Sequence, residues 1–308
     1  MRALFFISSA AVLASARAVS IPRAKATNEQ PVALTKAEVD AFTPYLYYSA
    51  ATYCPSADLQ TWSCGANCDA NAANFHVTAA GGNGADVQNW YVGYDAALDS
   101  VISTHQGTDL THFEAILTDT KLLLDTLPEK LYPGVPPEAQ AHKGFIQQHA
   151  KTADAVLTAI LDTLQQHNTT RVTFVGHSLG AGLTLLESMS VASTLADRGL
   201  TFKTVLFGLS RVGNEAFADW VDATLPDVSF VQNRNDLVAI MPGRFMGYKH
   251  ISGEVHITDD GVWNRCPGQD NEADGCAISA TPNILKADFL KHFGPYNGIG
   301  LGFCSMNA

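Results

Sequence analysis

Gly176-His177-Ser178-Leu179-Gly180 sets a serine between two glycines, directly after the apolar run Arg171-Val172-Thr173-Phe174-Val175 and directly before a helical segment. A strand that bends so abruptly into a helix leaves no room for side chains on the flanks. The glycines relieve that crowding, and Ser178 is left projecting from the bend. The first amides of the following helix lack intrahelical acceptors and face the place where charge would develop on a substrate oxygen. This arrangement suits attack on a carbonyl through a covalent intermediate. A serine hydroxyl alone is a poor nucleophile and needs a base that is itself oriented by a carboxylate. On such a scaffold the partners follow in the order Ser, Asp or Glu, His. Asp236, in Asn235-Asp236-Leu237-Val238, and His292, in Lys291-His292-Phe293-Gly294-Pro295-Tyr296, fit that order. Spacing alone leaves Asp259 and Asp260 open as acids, and His250 and His256 open as bases.

The elements that must position these residues alternate along the chain. Ser100 to His105 is short and β-branched, which predicts a strand. Apolar residues at helical spacing predict one helix over Phe145 to Gln166. A strand follows at Arg171 to Val175, then a helix over Ala181 to Arg198 with Gly199 placed to end it. Strand Phe202 to Phe207, helix Asn214 to Thr224 and strand Val228 to Gln232 complete the series. Such alternation implies an α/β fold with a central, mostly parallel sheet covered by helices on both faces.

The chain has 308 residues, 46% of them hydrophobic, enough for one large core, so residues 41–308 are expected to form a single domain. The formal net charge of -11, with no run of Lys or Arg, argues against a nucleic-acid partner, which requires a positive patch. Arg2, the apolar stretch Ala3 to Ala14 and the small residues up to Ala18 read as a signal peptide over 1–18, too short to span a bilayer. Residues 19–40 are expected to be a propeptide or a flexible start. Six cysteines suit an oxidising, extracellular location. Proximity favours Cys64 with Cys68 and Cys266 with Cys276, leaving Cys54 with Cys304, although other pairings are possible. Metal-ligand spacing is lacking, so neither metal nor cofactor is expected. Asn168-Thr169-Thr170 is a glycosylation sequon, making Asn168 the acceptor.

Several segments, taken in order from about Ala50 to Cys304, resemble the fungal class 3 lipase family of the α/β-hydrolase fold. They are Gln106-Gly107-Thr108, His142-Lys143-Gly144-Phe145, the elbow, Phe207-Gly208 with Arg211-Val212-Gly213-Asn214, and Asn235-Asp236-Leu237-Val238. Ser252-Gly253-Glu254, Cys266-Pro267-Gly268-Gln269-Asp270-Asn271, and His292 with Gly294-Pro295-Tyr296 complete the set. The resemblance implies a secreted, monomeric carboxylic ester hydrolase acting on lipid esters at a lipid–water interface, most readily triacylglycerols. It assigns Ser178 as nucleophile, Asp236 as orienting acid and His292 as base, with oxyanion donors at the backbone N–H of Thr108 and Leu179. The cysteine pairs above match those of the family. A lid helix is implied over Asp109 to Leu117, carrying Leu110, Phe113, Ile116 and Leu117 on one face.

Two departures stand out: Gln106 replaces an arginine common in relatives, and Ser210 replaces a proline. His142 belongs to a family motif, yet a structural hydrogen-bonding role suits it better. Polar residues Thr111, His112, Glu114 and Thr118 dilute the lid's apolar face, so an esterase for soluble or feruloyl-type esters is the alternative. A non-catalytic lipid-binding relative is a third reading, disfavoured by the complete Ser, Asp and His set.

Overall fold

A computed structural model describes residues 28–108 and 123–304. The expected signal peptide and the expected lid residues Leu110, Phe113, Ile116 and Leu117 lie outside the described residues.

Among the described residues nine strands form the main sheet: β1 (Val32–Ala33), β2 (Phe75–Gly81), β3 (Trp90–Asp95), β4 (Ser100–His105), β7 (Arg171–His177), β8 (Thr201–Phe207), β9 (Val228–Asn233), β10 (Glu254–Ile257) and β11 (Trp263–Cys266). Their spatial order is β1-β11-β10-β9-β8-β7-β4-β3-β2, while β5 (Leu124–Thr126) and β6 (Gln140–His142) make a separate pair. The five central strands, β4 and β7 to β10, run parallel, and the edges are antiparallel. This is the mostly parallel sheet implied by the alternation of elements, and it fits the α/β-hydrolase fold implied by the resemblance. Alternate residues serve opposite faces: Val205 and Phe207 enter one apolar cluster with Tyr48, Phe75 and Tyr296, whereas Leu206 enters another with Leu186, Phe217 and Phe230. Each such side chain, fully buried, contributes about 1.5–3 kcal/mol.

The helices used below are α1 (Thr43–Ala51), α2 (Lys143–His149), α3 (Ala153–His167), α4 (Leu179–Thr194) and α5 (Glu215–Thr224). The single helix expected over Phe145 to Gln166 is two, α2 and α3. Its apolar residues come in two groups separated by the polar stretch from Gln147 to Asp154, and at the break Thr152 Oγ1 donates to the His149 carbonyl (3.3 Å), satisfying a group that the helix end leaves open. The expected helix to Arg198 ends at Thr194 and is followed by a 3-10 turn, Ala196–Arg198, closed by Gly199 at φ 66°. Part of the stretch expected to be a propeptide or flexible start is structural. Val32 and Ala33 pair with Arg265 and Asn264, and Thr35 caps a short helix with Glu38. An edge strand two residues long carries too little pattern to be read from sequence.

Helix α4 is apolar on nearly all sides, as befits one packed against β4, β7 and β8, and every residue from Gly180 to Ala192 is buried. The cysteines are joined as Cys54–Cys304, Cys64–Cys68 and Cys266–Cys276. Among the described residues no helix is long and apolar enough to cross a membrane.

Candidate active site

Ser178 stands between β7 and α4 with φ 61° and ψ −131°, a conformation that costs a non-glycine residue about 1–3 kcal/mol. Close packing around it explains both flanking glycines. A Cβ on Gly176 would come within 2.6 Å of the Gly180 carbonyl oxygen and of Thr184 Oγ1. A Cβ on Gly180 would come within 2.2 Å of the His105 carbonyl oxygen. The bend is fixed from below by the Ser178 N–H, which donates to the Phe207 carbonyl (3.0 Å).

Asp236 and His292, 56 residues apart, meet here: Asp236 Oδ2 lies 2.8 Å from His292 Nδ1, and both side chains are fully buried. The other carboxylate oxygen of Asp236 accepts from the Val238 N–H (2.8 Å), which fixes the carboxylate plane. The His292 ring packs against Gly208, where a Cβ would come within 2.6 Å of its Cε1. It also stacks on the His177 ring, with centroids 4.6 Å apart. Ser178 follows His177 and hydrogen-bonds Phe207, and the His292 ring touches both His177 and Gly208. The serine and the imidazole therefore share one corner of the molecule. Ser178 Oγ is buried and has no hydrogen-bond partner among the described residues. Links between a nucleophile and its base are often long in unliganded enzymes and tighten on substrate binding.

The sequence did not single out the residues that hold His292. Its carbonyl oxygen accepts from His177 Nε2 (2.9 Å) and from Tyr296 Oη (3.0 Å), and Asn233 Nδ2 donates to the neighbouring Lys291 carbonyl (2.8 Å). The other His177 nitrogen, Nδ1, lies 2.6 Å from Tyr53 Oη. Burial first, and then the neighbouring His292, push His177 far below the usual histidine range, so it is neutral. A neutral ring that donates from Nε2 and accepts at Nδ1 satisfies both contacts. Tyr296 is recognisable in the sequence only as part of the Gly-Pro-Tyr motif, and Tyr53 carries no signal there.

Thr108, expected to supply an oxyanion donor, is buried at the turn after β4, and its Oγ1 has no partner among the described residues. Leu179 opens α4, where the first amides lack intrahelical acceptors. Gly107 brings the turn against the elbow, since a Cβ there would lie 3.1 Å from Ser178 Cβ and 2.5 Å from the His177 carbonyl oxygen. Gln106, in the place of the arginine common in relatives, holds the turn to β3 through Asn89. Its N–H donates to the Asn89 carbonyl (2.8 Å), and its Oε1 accepts from the Asn89 N–H (3.0 Å).

The rival acids and bases lie elsewhere. Asp259 and Asp260 are exposed beyond β10. His256 has both nitrogens on backbone carbonyls, those of Gly275 and Arg234, and His250 contacts the Ala239 carbonyl and stacks on Phe230. His142 caps α2, its Nδ1 accepting from the Phe145 N–H (3.3 Å), in keeping with a structural role. The one group of His, Cys, Asp or Glu close enough to hold a metal among the described residues is Glu254, Cys266 and Cys276, and its two cysteines are joined in a disulfide.

This arrangement can take a proton from a serine, present that oxygen to a carbonyl and receive an oxyanion on backbone amides. The profile of the family described as lipase (class 3) matches residues 102–246. Over 253 residues the chain is 30% identical to the secreted mono- and diacylglycerol lipase MDL4 of Malassezia globosa, covering 81% of this chain and 80% of that protein. It is 33% identical over 202 residues to MDL2 of the same organism, and there the match spans 66% of the relative's length. Among solved structures, the Rhizomucor miehei triacylglyceride lipase superposes with a TM-score of 0.75 at 25% identity, covering 90% of this chain and 100% of that one. The lipase of Rhizopus microsporus var. chinensis gives 0.75 at 24%, covering 92% and 94%. The chain belongs to the class 3 lipase family.

Proposed function

We propose that this chain is an exported carboxylic ester hydrolase that cleaves acylglycerols, triacylglycerols included, at a lipid–water interface. The observation that carries this reading is the buried Asp236–His292 pair set against a strained serine whose hydroxyl has no partner among the described residues. His292 Nε2 takes the Ser178 proton as Oγ attacks the ester carbonyl, while Asp236 keeps the other ring nitrogen protonated. The Thr108 and Leu179 N–H groups receive the oxyanion. As the tetrahedral intermediate collapses, the alcohol leaves with the proton from His292. Water, activated by the same imidazole, then releases the fatty acid and restores Ser178.

A lipid surface, rather than a soluble ester, is favoured by exposed apolar residues on the loops that carry two members of the site. Phe245 is 92% exposed, Leu285 90% and Leu290 69%. All three lie on the loops that carry Asp236 and His292, and the 285–290 loop is tied to Asn235 by Asn235 Nδ2 donating to the Lys286 carbonyl and the Asp288 N–H donating to the Asn235 carbonyl. Export is supported by the three disulfides and by relatives that are named as secreted. Those relatives are also named mono- and diacylglycerol lipases, which favours partial glycerides as a second reading of the substrate. The test is a set of rates on monoolein, diolein, triolein, tributyrin through its solubility limit, and methyl ferulate. Turnover of glycerides that rises above the solubility limit is expected, and a clear preference for methyl ferulate would contradict the reading.

A further inference from the structure

Glu187 is the only charged residue of α4, and it is buried among that helix's apolar neighbours. Two imidazoles meet its carboxylate. His149 Nε2, at the end of α2, lies 3.0 Å from Oε2, and His105 Nε2, at the end of β4, lies 3.5 Å from the same oxygen. Tyr132 Oη is 2.7 Å from His149 Nδ1, and all four side chains are buried. At 3.5 Å the His105 contact is looser than the 3.0 Å contact with His149. Burial, the largest influence, pushes the Glu187 carboxyl up. Hydrogen bonding and electrostatic attraction from His105 and His149 together outweigh it and hold the group at about 2, so it is ionised at neutral pH. The three groups do not form a metal cage, since their ligand atoms are not mutually close enough to hold an ion.

A buried ionised cluster is a poor way to gain stability, because well-packed apolar residues of similar volume often replace one at no cost. Its position points to another role. His105 runs directly into Gln106-Gly107-Thr108, the turn that bears one oxyanion donor. Leu179, the other donor, opens α4, and Glu187 sits about two turns further along the same helix. The far side of the turn is held to β3 through Gln106 and Asn89, and its middle is wedged against the elbow at Gly107 and Gly180. The contact between Glu187 and His105 ties the strand that leads into one donor to the helix that begins with the other.

We propose that Glu187, acting through His105, is a positioning residue that sets the oxyanion turn against the nucleophile helix so that the Thr108 and Leu179 amides converge on one point. His149, itself held by Tyr132, orients the carboxylate for this task. The proposal rests on the ester-hydrolase reading above. Because the oxyanion exists only after attack, misplaced donors weaken the transition state and leave ground-state binding intact.

The experiment compares E187Q and the apolar double variant E187L/H105F with the wild type on a soluble p-nitrophenyl ester, with melting temperatures measured alongside. E187Q should lose about 10- to 100-fold in kcat with KM within about twofold, the scale of a sub-ångström to 1 Å misplacement. H105N should lose a similar factor, and E187Q/H105N no more than either single variant, since both break one link. The apolar double variant removes the buried charge but leaves His149 Nε2 without its acceptor, so it should melt below the wild type, and its folded form should keep the lowered kcat; it decides the matter should E187Q fail to fold. Wild-type kcat in the folded double variant, or losses in E187Q and H105N that multiply, would overturn the proposal. S178A separates the two levels: an active S178A overturns the ester-hydrolase reading itself, whereas an inactive S178A beside fully active Glu187 variants overturns only the positioning role.

Discussion

Replacing Gly180 by alanine probes the elbow at its tightest point. The added Cβ would stand 2.2 Å from the His105 carbonyl oxygen, 2.7 Å from the Gln106 carbonyl carbon and 2.8 Å from the Gly107 nitrogen. Ordinary contact begins near 3.4 Å, so about 1.2 Å must be found, and each atom in the way is backbone of the oxyanion turn. No side chain can rotate to provide it. Either the turn retreats or α4 tilts, and in both cases the amides of Thr108 and Leu179 separate. Overpacking of this kind costs about 1–3 kcal/mol, a fall in melting temperature on the order of 2–12 °C for a chain of this size. A displacement of roughly 1 Å at donors to the transition state costs about 10²-fold in rate. The assay is kcat and KM on p-nitrophenyl butyrate, corrected for active enzyme by fluorophosphonate titration, with a thermal melt on the same preparation. G180A should lose about 10² in kcat, keep its KM and melt lower. Wild-type kcat at an unchanged melting temperature would refute the reasoning, because it would mean that the turn and the helix are not packed as described.

Further outcomes follow from other parts of the molecule. D236N keeps the shape of the acid but removes the charge that faces His292 Nδ1, so kcat should fall by on the order of 10⁴ with the fold intact; a loss below tenfold would point to a different acid. Burial raises Glu254 to about 7 from an ordinary 4.5, so the protonated form is favoured in the folded state. The stability from this group is fully present below about pH 4.5 and is lost as pH rises through 7, an effect of roughly 3–4 kcal/mol. E254Q should therefore match the wild type near pH 4.5 and exceed it in melting temperature at pH 8, and an identical pH dependence in the two would contradict this. Asn168 is exposed, at the left-handed residue that ends α3 (φ 50°), so protein from a secretory host should lose mass on endoglycosidase treatment and N168Q should not.

Much of this was legible in the chain itself, for physical reasons that also explain what was not. The elbow shows because its geometry demands glycine on both sides of Ser178, and the parallel strands show because burial on both faces leaves short β-branched and aromatic runs such as Val172 to Val175. Asp236 and His292 could be placed in order, but spacing did not separate them from Asp259, His250 or His256. What separates them is three-dimensional: the rivals are exposed or have their nitrogens against carbonyls. The helix from Phe145 read as continuous because helical periodicity ignores a short polar gap, and the break at Thr152 depends on a side chain capping a carbonyl. Glu187 carried a signal that went unused, a lone acid in an otherwise apolar helix. Its partners His105 and His149 lie far from it in sequence, and no local pattern joins them.

The most direct measurement is the intact mass and peptide map of the protein after treatment with a fluorophosphonate. One adduct per chain, on Ser178, formed in step with loss of esterase activity and far more slowly in H292A, is the expected result. Full activity in a chain already modified at Ser178, or stoichiometric labelling at another serine, would contradict the central claim.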